Sequence, residues 1–251
     1  MITQNELKYI KSLSQRKFRQ KYNKFIAEGD KICAELLNTD TYQISKIYCT
    51  NEWKELHVSI LAPFNDLVTL ITPKDLARAS QLNTANQVLM IMELPKISDE
   101  PRKLGNAVIY LDDVQDPGNV GTIIRIADWF GIKDVIRSTG TADFYSPKVV
   151  QATMASFANV RLSTCTLEVL RQAAPNHKTI GAVLGGQPLK SIKWPSETII
   201  VMGNESKGVS EATLAQIDLS VMIGGSSNRL ADSLNVGIAT ALMCENWFQS
   251  N

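Results

Sequence analysis

The stretch VIYLDDVQDPGNVGTIIRIADWFG, residues 108–131, decides the fold of this chain. It opens with four apolar residues, 108–111, of the length and branching typical of a buried strand. A turn signal follows at 116–119, where proline fixes φ and glycine tolerates positive φ. Apolar residues then recur at helical period until Gly131, which favours a helix end. A strand, a tight loop and a helix in this order place a ligand at the carboxyl end of a parallel sheet.

The same alternation of strands and helices continues to the end of the chain. Further strands are predicted at 134–137, 160–163, 179–184, 198–202 and 219–223. We expect the third of these to end at Gly185-Gly186, and Ser233 to cap a final helix over 234–248. Six short strands separated by helices indicate an α/β fold, with a mostly parallel six-stranded sheet covered by helices on both faces.

The first 94 residues predict a smaller α/β domain. Thr3 and Glu6 form a capping-box pattern that opens a first helix, and Thr72-Pro73 opens another. Strands are predicted at 44–49, 67–71 and 87–92. Prolines, a glycine and mixed charges make 95–105 the best linker, so the domains are 1–94 and 106–251.

Charge is distributed unevenly along the chain, although the net charge is only +1. Residues 1–31 carry eight basic and three acidic side chains, a balance of +5, which leaves −4 for the rest. This asymmetry indicates an N-terminus that faces a polyanion. A solvated basic helix face explains the same charges equally well.

Cysteine spacing and hydropathy predict a cytoplasmic protein. The four cysteines are far apart, with neither a CxxC pair nor Cys/His ligand spacing, which indicates reduced thiols and no metal site. The N-terminus lacks the apolar core of a signal peptide, and no apolar run is long enough to span a membrane.

Several catalytic classes are excluded by their missing motifs. The sequence contains no GxSxG, HExxH or GxxxxGK[ST] pattern, and its two histidines lie in different predicted domains. What remains is three glycine- or asparagine-rich breaks, at 116–121, 203–208 and 224–235, each directly after a predicted strand. In a parallel sheet such breaks fall on the same edge, so together they predict a site.

The three breaks together resemble the TrmH/SpoU family of RNA ribose 2′-O-methyltransferases, within the knotted SPOUT superfamily. The resemblance lies in DPGNVGTIIRIADWFG, VMGNESKGVS and SLNVGIATAL, in the family's order. The segments 17–19 and 25–29 are also similar to the family's substrate-binding domain. The resemblance therefore covers nearly the whole chain, with 1–94 as an RNA substrate-binding domain and 106–251 as a SPOUT methyltransferase domain.

Three positions depart from the family pattern. Ile223-Gly224 stands where the family usually has Ile-Pro, and the stretch from there to Ser233 is about two residues longer than usual. The segment 152–156 reads Ala-Thr-Met-Ala-Ser, where the family commonly has Ala-Ser-x-Gly-Ala.

The resemblance implies a C-terminal trefoil knot that holds S-adenosylmethionine. By position, the residues that would bind this cofactor are Leu184, Gly203, Asn204, Glu205, Gly208, Ile223 and Leu234. Glycines suit this role because a backbone without Cβ can approach the adenosine closely. The final helix would close the knot and pack a homodimer, although a plain core helix explains the same apolar residues.

The family's matching catalytic residue is Arg125, with Asn119, Ser233 and Asn235 completing the pocket. Because arginine stays protonated in proteins, we expect Arg125 to hold the target phosphate and stabilise the developing alkoxide rather than to act as a base. Asn119 would orient Arg125 or the nucleotide. The alternative for Arg125 is a salt bridge to an aspartate, namely Asp112, Asp113 or Asp128.

The expected substrate is RNA, with ribosomal RNA favoured over transfer RNA because of the separate N-terminal domain. Phosphate contacts are expected from four residues of the basic segment, Lys17, Arg19, Lys21 and Lys24. Two alternatives remain open at this point. One is a catalytically silent RNA-binding or ribosome-associated protein, suggested by the altered loop 224–232, and the other is a methyltransferase that acts on a base nitrogen.

Overall fold

A computed structural model describes residues 2–82, 84, 86–95 and 103–250 of the chain. The chain divides into two compact units, one of Met1–Ile97 with Asp143–Ala158 and one of Ser98–Ala142 with Asn159–Asn251. Residues 143–158, which the sequence places in the second domain, group with the first unit. Most of the predicted linker, residues 96–102, lies outside the described residues.

The first unit is built on a four-stranded mixed sheet with the order β1-β4-β2-β3. Its strands are β1 (Lys24–Glu28), β2 (Ile44–Cys49), β3 (Val68–Leu70) and β4 (Val88–Glu93). Strand β4 runs antiparallel to both β1 and β2, and β3 runs parallel to β2. The α-helices are α1 (Gln4–Ser12), α2 (Arg16–Tyr22), α3 (Asp30–Leu37), α4 (Asn51–Leu56), α5 (Val58–Leu61), α6 (Pro73–Ala79) and α8 (Pro147–Thr153).

Local sequence signals account for the first helix. Thr3 N donates to Glu6 Oε2 at 2.9 Å, and Glu6 N donates to Thr3 Oγ1 at 3.2 Å, so the capping box is present as predicted. Leu7 and Ile10 of α1 then pack into the core of this unit together with Ile26 and Leu89 of the sheet. Helix α2 is not among the predicted helices. Most of its residues are basic or polar, so the sequence shows no extended repeat of apolar residues at helical spacing.

The second unit contains a six-stranded, fully parallel sheet, as the sequence predicts. Its order is β10-β8-β9-β5-β6-β7. The strands are β5 (Ala107–Leu111), β6 (Asp134–Arg137), β7 (Arg161–Thr164), β8 (Lys178–Pro188), β9 (Thr198–Met202) and β10 (Leu219–Met222). The helices of this unit are α7 (Pro117–Trp129), α9 (Leu167–Ala173), α10 (Glu211–Leu214) and α11 (Val236–Ser250). Helix α11 packs on α7.

Strand β8 is longer than predicted. Gly185 and Gly186, which the sequence predicts as its end, lie instead in an irregular segment within the strand. Its partner β10 pairs Ser220 with Gly181 and then Val221 with Gln187, so residues 182–186 leave the ladder. Gly185 has a φ of +81°, which glycine adopts without steric cost. A Cβ on Gly186 would lie 2.6 Å from the backbone carbon of Ser220. Glycine here allows two strands to approach rather than ending one.

The final helix begins two residues later than predicted and has a different cap. Asn235 Oδ1 accepts hydrogen bonds from Gly237 N at 2.9 Å and Ile238 N at 3.3 Å. Asn235 therefore caps α11, which starts at Val236, and the prediction that Ser233 caps it is wrong. Both residues are good caps in sequence, so only the hydrogen bonds distinguish them.

Three further features are the state of the cysteines, possible metal sites and possible membrane-spanning helices. All four cysteines are free thiols, and burial raises the pKa of the Cys244 thiol well above its ordinary value. Among the described residues, no group of histidine, cysteine or acidic side chains could hold a metal ion. No helix in the described part of the chain is long and apolar enough to cross a membrane.

Ala155 occupies a conformation that favours glycine, the residue the related family commonly has there. Its φ is +78°, in the left-handed region that costs a residue with a Cβ about 1 kcal/mol. We expect Ala155→Gly to raise the free energy of unfolding by about 0.5–1 kcal/mol, measured by urea denaturation. The matched control, Ala152→Gly within helix α8, should lower it by a similar amount. If both variants are equally destabilised, the strain assigned to Ala155 is absent.

Candidate active site

The loops after β5 and β9 are joined by hydrogen bonds at the carboxyl edge of the parallel sheet. Asn204 Nδ2 donates to the backbone oxygen of Asp113 at 2.8 Å. Ser210 N donates to Oδ2 of the buried Asp112 at 2.7 Å. The breaks at 116–121 and 203–208 therefore meet at one edge, as the strand order requires.

The loop 203–208 is folded tightly on itself. Asn204 and Gly208 exchange backbone hydrogen bonds of 2.9 Å, and Asn204 Oδ1 accepts from the backbone N–H groups of Ser206 and Lys207. A Cβ on Gly203 would lie 2.4 Å from backbone atoms of Gly208 and Val209. Glycine is therefore required at 203 because the backbone of the same loop approaches it closely.

A chain of three side chains connects all three sequence motifs. Asn119 Nδ2 donates to Glu205 Oε1 at 2.9 Å, and Asn235 Nδ2 donates to Asn119 Oδ1 at 2.9 Å. Because Asn235 Oδ1 already accepts from the start of α11, its nitrogen must face Asn119, which fixes both amide orientations. Glu205 also accepts from the backbone N–H groups of Gln115 and Asp116 at 3.4 Å. This Glu205–Asn119–Asn235 chain holds the loops after β5, β9 and β10 together.

A cleft of about 490 Å³ opens beside this hydrogen-bonded chain. Its walls are the irregular part of β8, the loop after β9, the loop after β10 and the start of α11. All the predicted cofactor residues line it, together with Ser233: Leu184, Gly203, Asn204, Glu205, Gly208, Ile223 and Leu234. The altered loop contributes Gly224, Gly225 and Arg229 to the wall and leaves the cleft open.

Some residues of the cleft were not predicted. Arg229 and Asp232 lie in the lengthened loop, where the family pattern offers no position to match. Asp112 does not line the cleft but binds Ser210 N in the loop after β9, and a carboxylate directly after a buried strand is a sequence signal that could identify it. Lys207 lies between two motif positions and also lines the cleft.

Arg125 is exposed on α7 and does not line the cleft. No ion pair of Arg125 is present in the part of the chain that the structure describes. Of its three alternative partners, Asp112 accepts from Ser210 N, and Asp128 accepts from Asn159 Nδ2 at 2.5 Å. The predicted salt-bridge alternative is therefore not observed, and the guanidinium is available to an external anion.

The four predicted RNA contacts fall into two pairs. Arg19 is buried, donates to the backbone oxygens of residues 13 and 14, and forms a 2.6 Å ion pair with Asp143. Lys24 forms an ion pair with Glu93. Both side chains already have an ionic partner within the protein, which favours Lys17 and Lys21 over them as RNA contacts. Lys17 and Lys21 are exposed.

A cleft walled by loops at the carboxyl edge of a parallel sheet defines an α/β protein with a site for a nucleotide-like cofactor. The chain belongs to the SpoU rRNA methylase family, whose model matches residues 106–245. A model of the MRM3-like substrate binding domain matches residues 4–90. The chain is therefore an S-adenosylmethionine-dependent RNA methyltransferase.

Similar proteins match the chain over nearly its full length. It is 28% identical to the Bacillus subtilis 23S rRNA (guanosine(2553)-2′-O)-methyltransferase RlmP, over 95% of this chain and 94% of that protein. A protein assigned to the TrmH family of RNA methyltransferases from Porphyromonas gingivalis has a TM-score of 0.89 and 35% identity, over 100% of both chains. An AdoMet-bound rRNA methyltransferase from Sinorhizobium meliloti has a TM-score of 0.83 and 26% identity, over 98% of this chain and 95% of that one.

The cleft fits S-adenosylmethionine in size and in chemistry. Its volume of about 490 Å³ is within the range of small-molecule sites. Leu184, Ile223 and Leu234 give the cleft apolar walls, and the loop 203–208 lines it beside them. This combination of apolar walls and a few fixed polar groups is typical of cofactor sites.

Two glycines provide a matched test of the tight loop. We expect Gly203→Ala to weaken S-adenosylmethionine binding about 10-fold or more, because its Cβ would displace the loop backbone. Gly105→Ala is the control, since Gly105 does not line the cleft and a Cβ there would lie 3.5 Å from its nearest neighbour, an ordinary contact, so its affinity should stay within about 2-fold. Titration calorimetry measures both. Equal affinities for the two variants would contradict the role assigned to Gly203.

Proposed function

We propose that this chain methylates a ribose 2′-hydroxyl of ribosomal RNA. The observation that carries this proposal is the Glu205–Asn119–Asn235 chain beside the cleft, which joins the three motifs of the family. Two relatives support the reaction and the substrate class: the Bacillus subtilis enzyme and a 23S rRNA (uridine(2479)-2′-O)-methyltransferase of Streptomyces viridochromogenes, 29% identical over 63% of this chain. The relatives' names assign ribose as the target, which favours ribose over a base nitrogen.

The cofactor is held, in this proposal, by the loop walls of the cleft. Bound S-adenosylmethionine supplies an electrophilic methyl group. Leu184, Ile223 and Leu234 exclude water from around it, and the closed loop 203–208 presents backbone polar groups. Glu205 both lines the cleft and accepts from Asn119, so we assign it to fixing the loop rather than to chemistry.

The nucleophile needs help from the protein because a ribose hydroxyl is weakly acidic. Arg125 remains protonated, so its role is to bind the target phosphate and stabilise the charge that develops on the 2′-oxygen. The proton passes to that phosphate or to water. Asn119 and Asn235 position the loops, and Ser233, which lines the cleft, completes the pocket for the nucleotide.

Replacing Arg125 by lysine tests this mechanism. The positive charge is kept but the bidentate fork is lost, so we expect turnover to fall about 100-fold or more. S-Adenosylmethionine affinity should be unchanged, because Arg125 does not line the cleft. The measurement is transfer of labelled methyl to RNA from cells that lack the protein, followed by nucleoside analysis and calorimetry of the cofactor.

Methyl transfer and cofactor affinity together distinguish the ways in which this proposal could fail. Wild-type turnover in Arg125→Lys would remove Arg125 from the chemistry. A labelled base instead of a 2′-O-methyl nucleoside would overturn the ribose assignment. Absence of both transfer and cofactor binding in the wild type would favour the catalytically silent alternative, and label in transfer RNA would correct the substrate.

We propose that residues 1–94 bind the RNA and residues 106–251 perform the transfer, as the two family models suggest. Lys17 and Lys21 are the phosphate contacts that we retain from the sequence prediction. DNA is excluded as a substrate, since it lacks the 2′-hydroxyl. We also propose a cytoplasmic location, which four free thiols favour.

We further propose that the chain is a homodimer and that the residues after β10 close the trefoil knot of the family. Exposed apolar side chains support the dimer. Ile238 and Leu242, one turn apart on α11, are 55% and 40% exposed, and Trp129 of α7 is 84% exposed. Large apolar groups on two packed helices are typical of an interface.

A charge placed on this surface tests the dimer. We expect Ile238→Glu to shift the wild-type dimer to a monomer in analytical ultracentrifugation, because a carboxylate would be buried without a partner. Leu56→Glu is the matched control, since Leu56 is 72% exposed on α4 of the first unit. A monomeric wild type, or a dimer that survives Ile238→Glu, would remove α11 from the interface.

A further inference from the structure

Helix α2 carries two aromatic side chains that are arranged as a stack. The rings of Phe18 and Tyr22 lie one helical turn apart, with centroids 6.2 Å apart and planes only 12° from parallel. Tyr9 of α1 packs edge-on against Tyr22, at 5.0 Å and 77°. The position of Tyr22 is thus fixed from one side while 38% of its surface stays exposed. An exposed ring held in place is a surface on which another flat group can stack.

Two lysines accompany these rings. Lys17 Nζ lies 4.8 Å from the centroid of Phe18, and Lys21 Nζ lies 5.4 Å from that of Tyr22. Cation–π attraction holds each ammonium beside its ring. In the described part of the chain neither lysine forms an ion pair, so both charges remain available to an anion.

The neighbouring charges do not compete with these lysines. Glu93, which acts electrostatically on Tyr9, forms an ion pair with Lys24 and accepts a hydrogen bond from Ser45. Arg19, on the buried side of α2, is neutralised by Asp143. The exposed side of the helix therefore combines aromatic rings with unneutralised positive charge.

This combination matches the chemistry of unpaired nucleotides. A base offers a flat face for stacking, and its phosphate lies within reach of an ammonium beside the ring. A perfect duplex hides its base faces in the helix stack and presents only phosphates and groove edges. Rings would add nothing to duplex binding, whereas lysines would serve both forms.

We infer that Phe18 and Tyr22, with Lys17 and Lys21, form a stacking platform for unpaired nucleotides of the RNA substrate. The inference rests on the proposed function, because it names the form of RNA that the first unit recognises. The target is then a loop or single-stranded segment rather than a continuous helix. Base stacking supplies salt-independent affinity, and the lysines supply the salt-dependent part.

The first experiment compares two substitutions of one ring in the full-length chain. Binding is measured by fluorescence anisotropy with a single-stranded RNA of about 12 nucleotides and with a perfect duplex of the same sequence. Tyr22→Leu should weaken single-strand binding about 10-fold and leave duplex binding within about 2-fold. Tyr22→Phe, which keeps the ring, should retain wild-type affinity for both. Phe18→Leu provides a second variant if Tyr22→Leu fails to fold by circular dichroism.

The second experiment separates stacking from charge. The double variant Lys17→Gln with Lys21→Gln should reduce the slope of log affinity against log salt by about 1.4, the value for two lost phosphate contacts on a single strand. Tyr22→Leu should leave this slope unchanged. Lys31→Gln on α3 is the control for a general loss of positive charge.

Failure of the inference is distinguishable from failure of the proposed function. Unchanged single-strand affinity in both Tyr22→Leu and Phe18→Leu, or equal weakening of single strand and duplex, would overturn the platform while methyl transfer by the wild type continued. A wild type that transfers no methyl group would instead overturn the proposed function. Methyl transfer that falls in Tyr22→Leu but not in Tyr22→Phe, with cofactor affinity unchanged, supports both.

Discussion

The amide of Asn119 is the connection on which the rest of the site depends. It donates to Glu205 and accepts from Asn235, so one side chain joins the loops that follow β5, β9 and β10. These loops lie outside the strands and helices, so hydrogen bonds between them contribute to fixing their positions. Loss of the Asn119 side chain would remove both bonds at once, whereas loss of Glu205 or Asn235 would remove only one.

Close backbone approach is the second constraint. Gly203 allows the loop after β9 to return onto itself, and Gly186 allows β8 to pass tightly against β10 after its irregular segment. Gly203 lines the cleft. This glycine, predicted as a cofactor contact, is thus required first by the close approach of the protein's own backbone.

In the first unit, some basic side chains form ion pairs within the protein, and others remain exposed to external anions. Arg19 and Lys24 are held by Asp143 and Glu93, whereas Lys17 and Lys21 lie against aromatic rings on the outside of α2. All are basic residues within eight positions of sequence, and composition alone treats them alike. A helix turns residue 19 inward and residues 17 and 21 outward, so folding divides one basic segment into a structural part and a binding part.

The sequence by itself determined the parallel sheet, its strands, and the three motifs at one edge, because hydrophobic period and turn residues are local properties. The resemblance to the TrmH/SpoU family added the predicted cofactor residues, and these line one cleft. Only the tertiary structure decided that Asn235 caps α11, that β8 continues through Gly185, and that Arg19 is buried. These three depend on partners distant in the chain or on competition between adjacent groups, and no local pattern records which partner a side chain meets once the chain has folded.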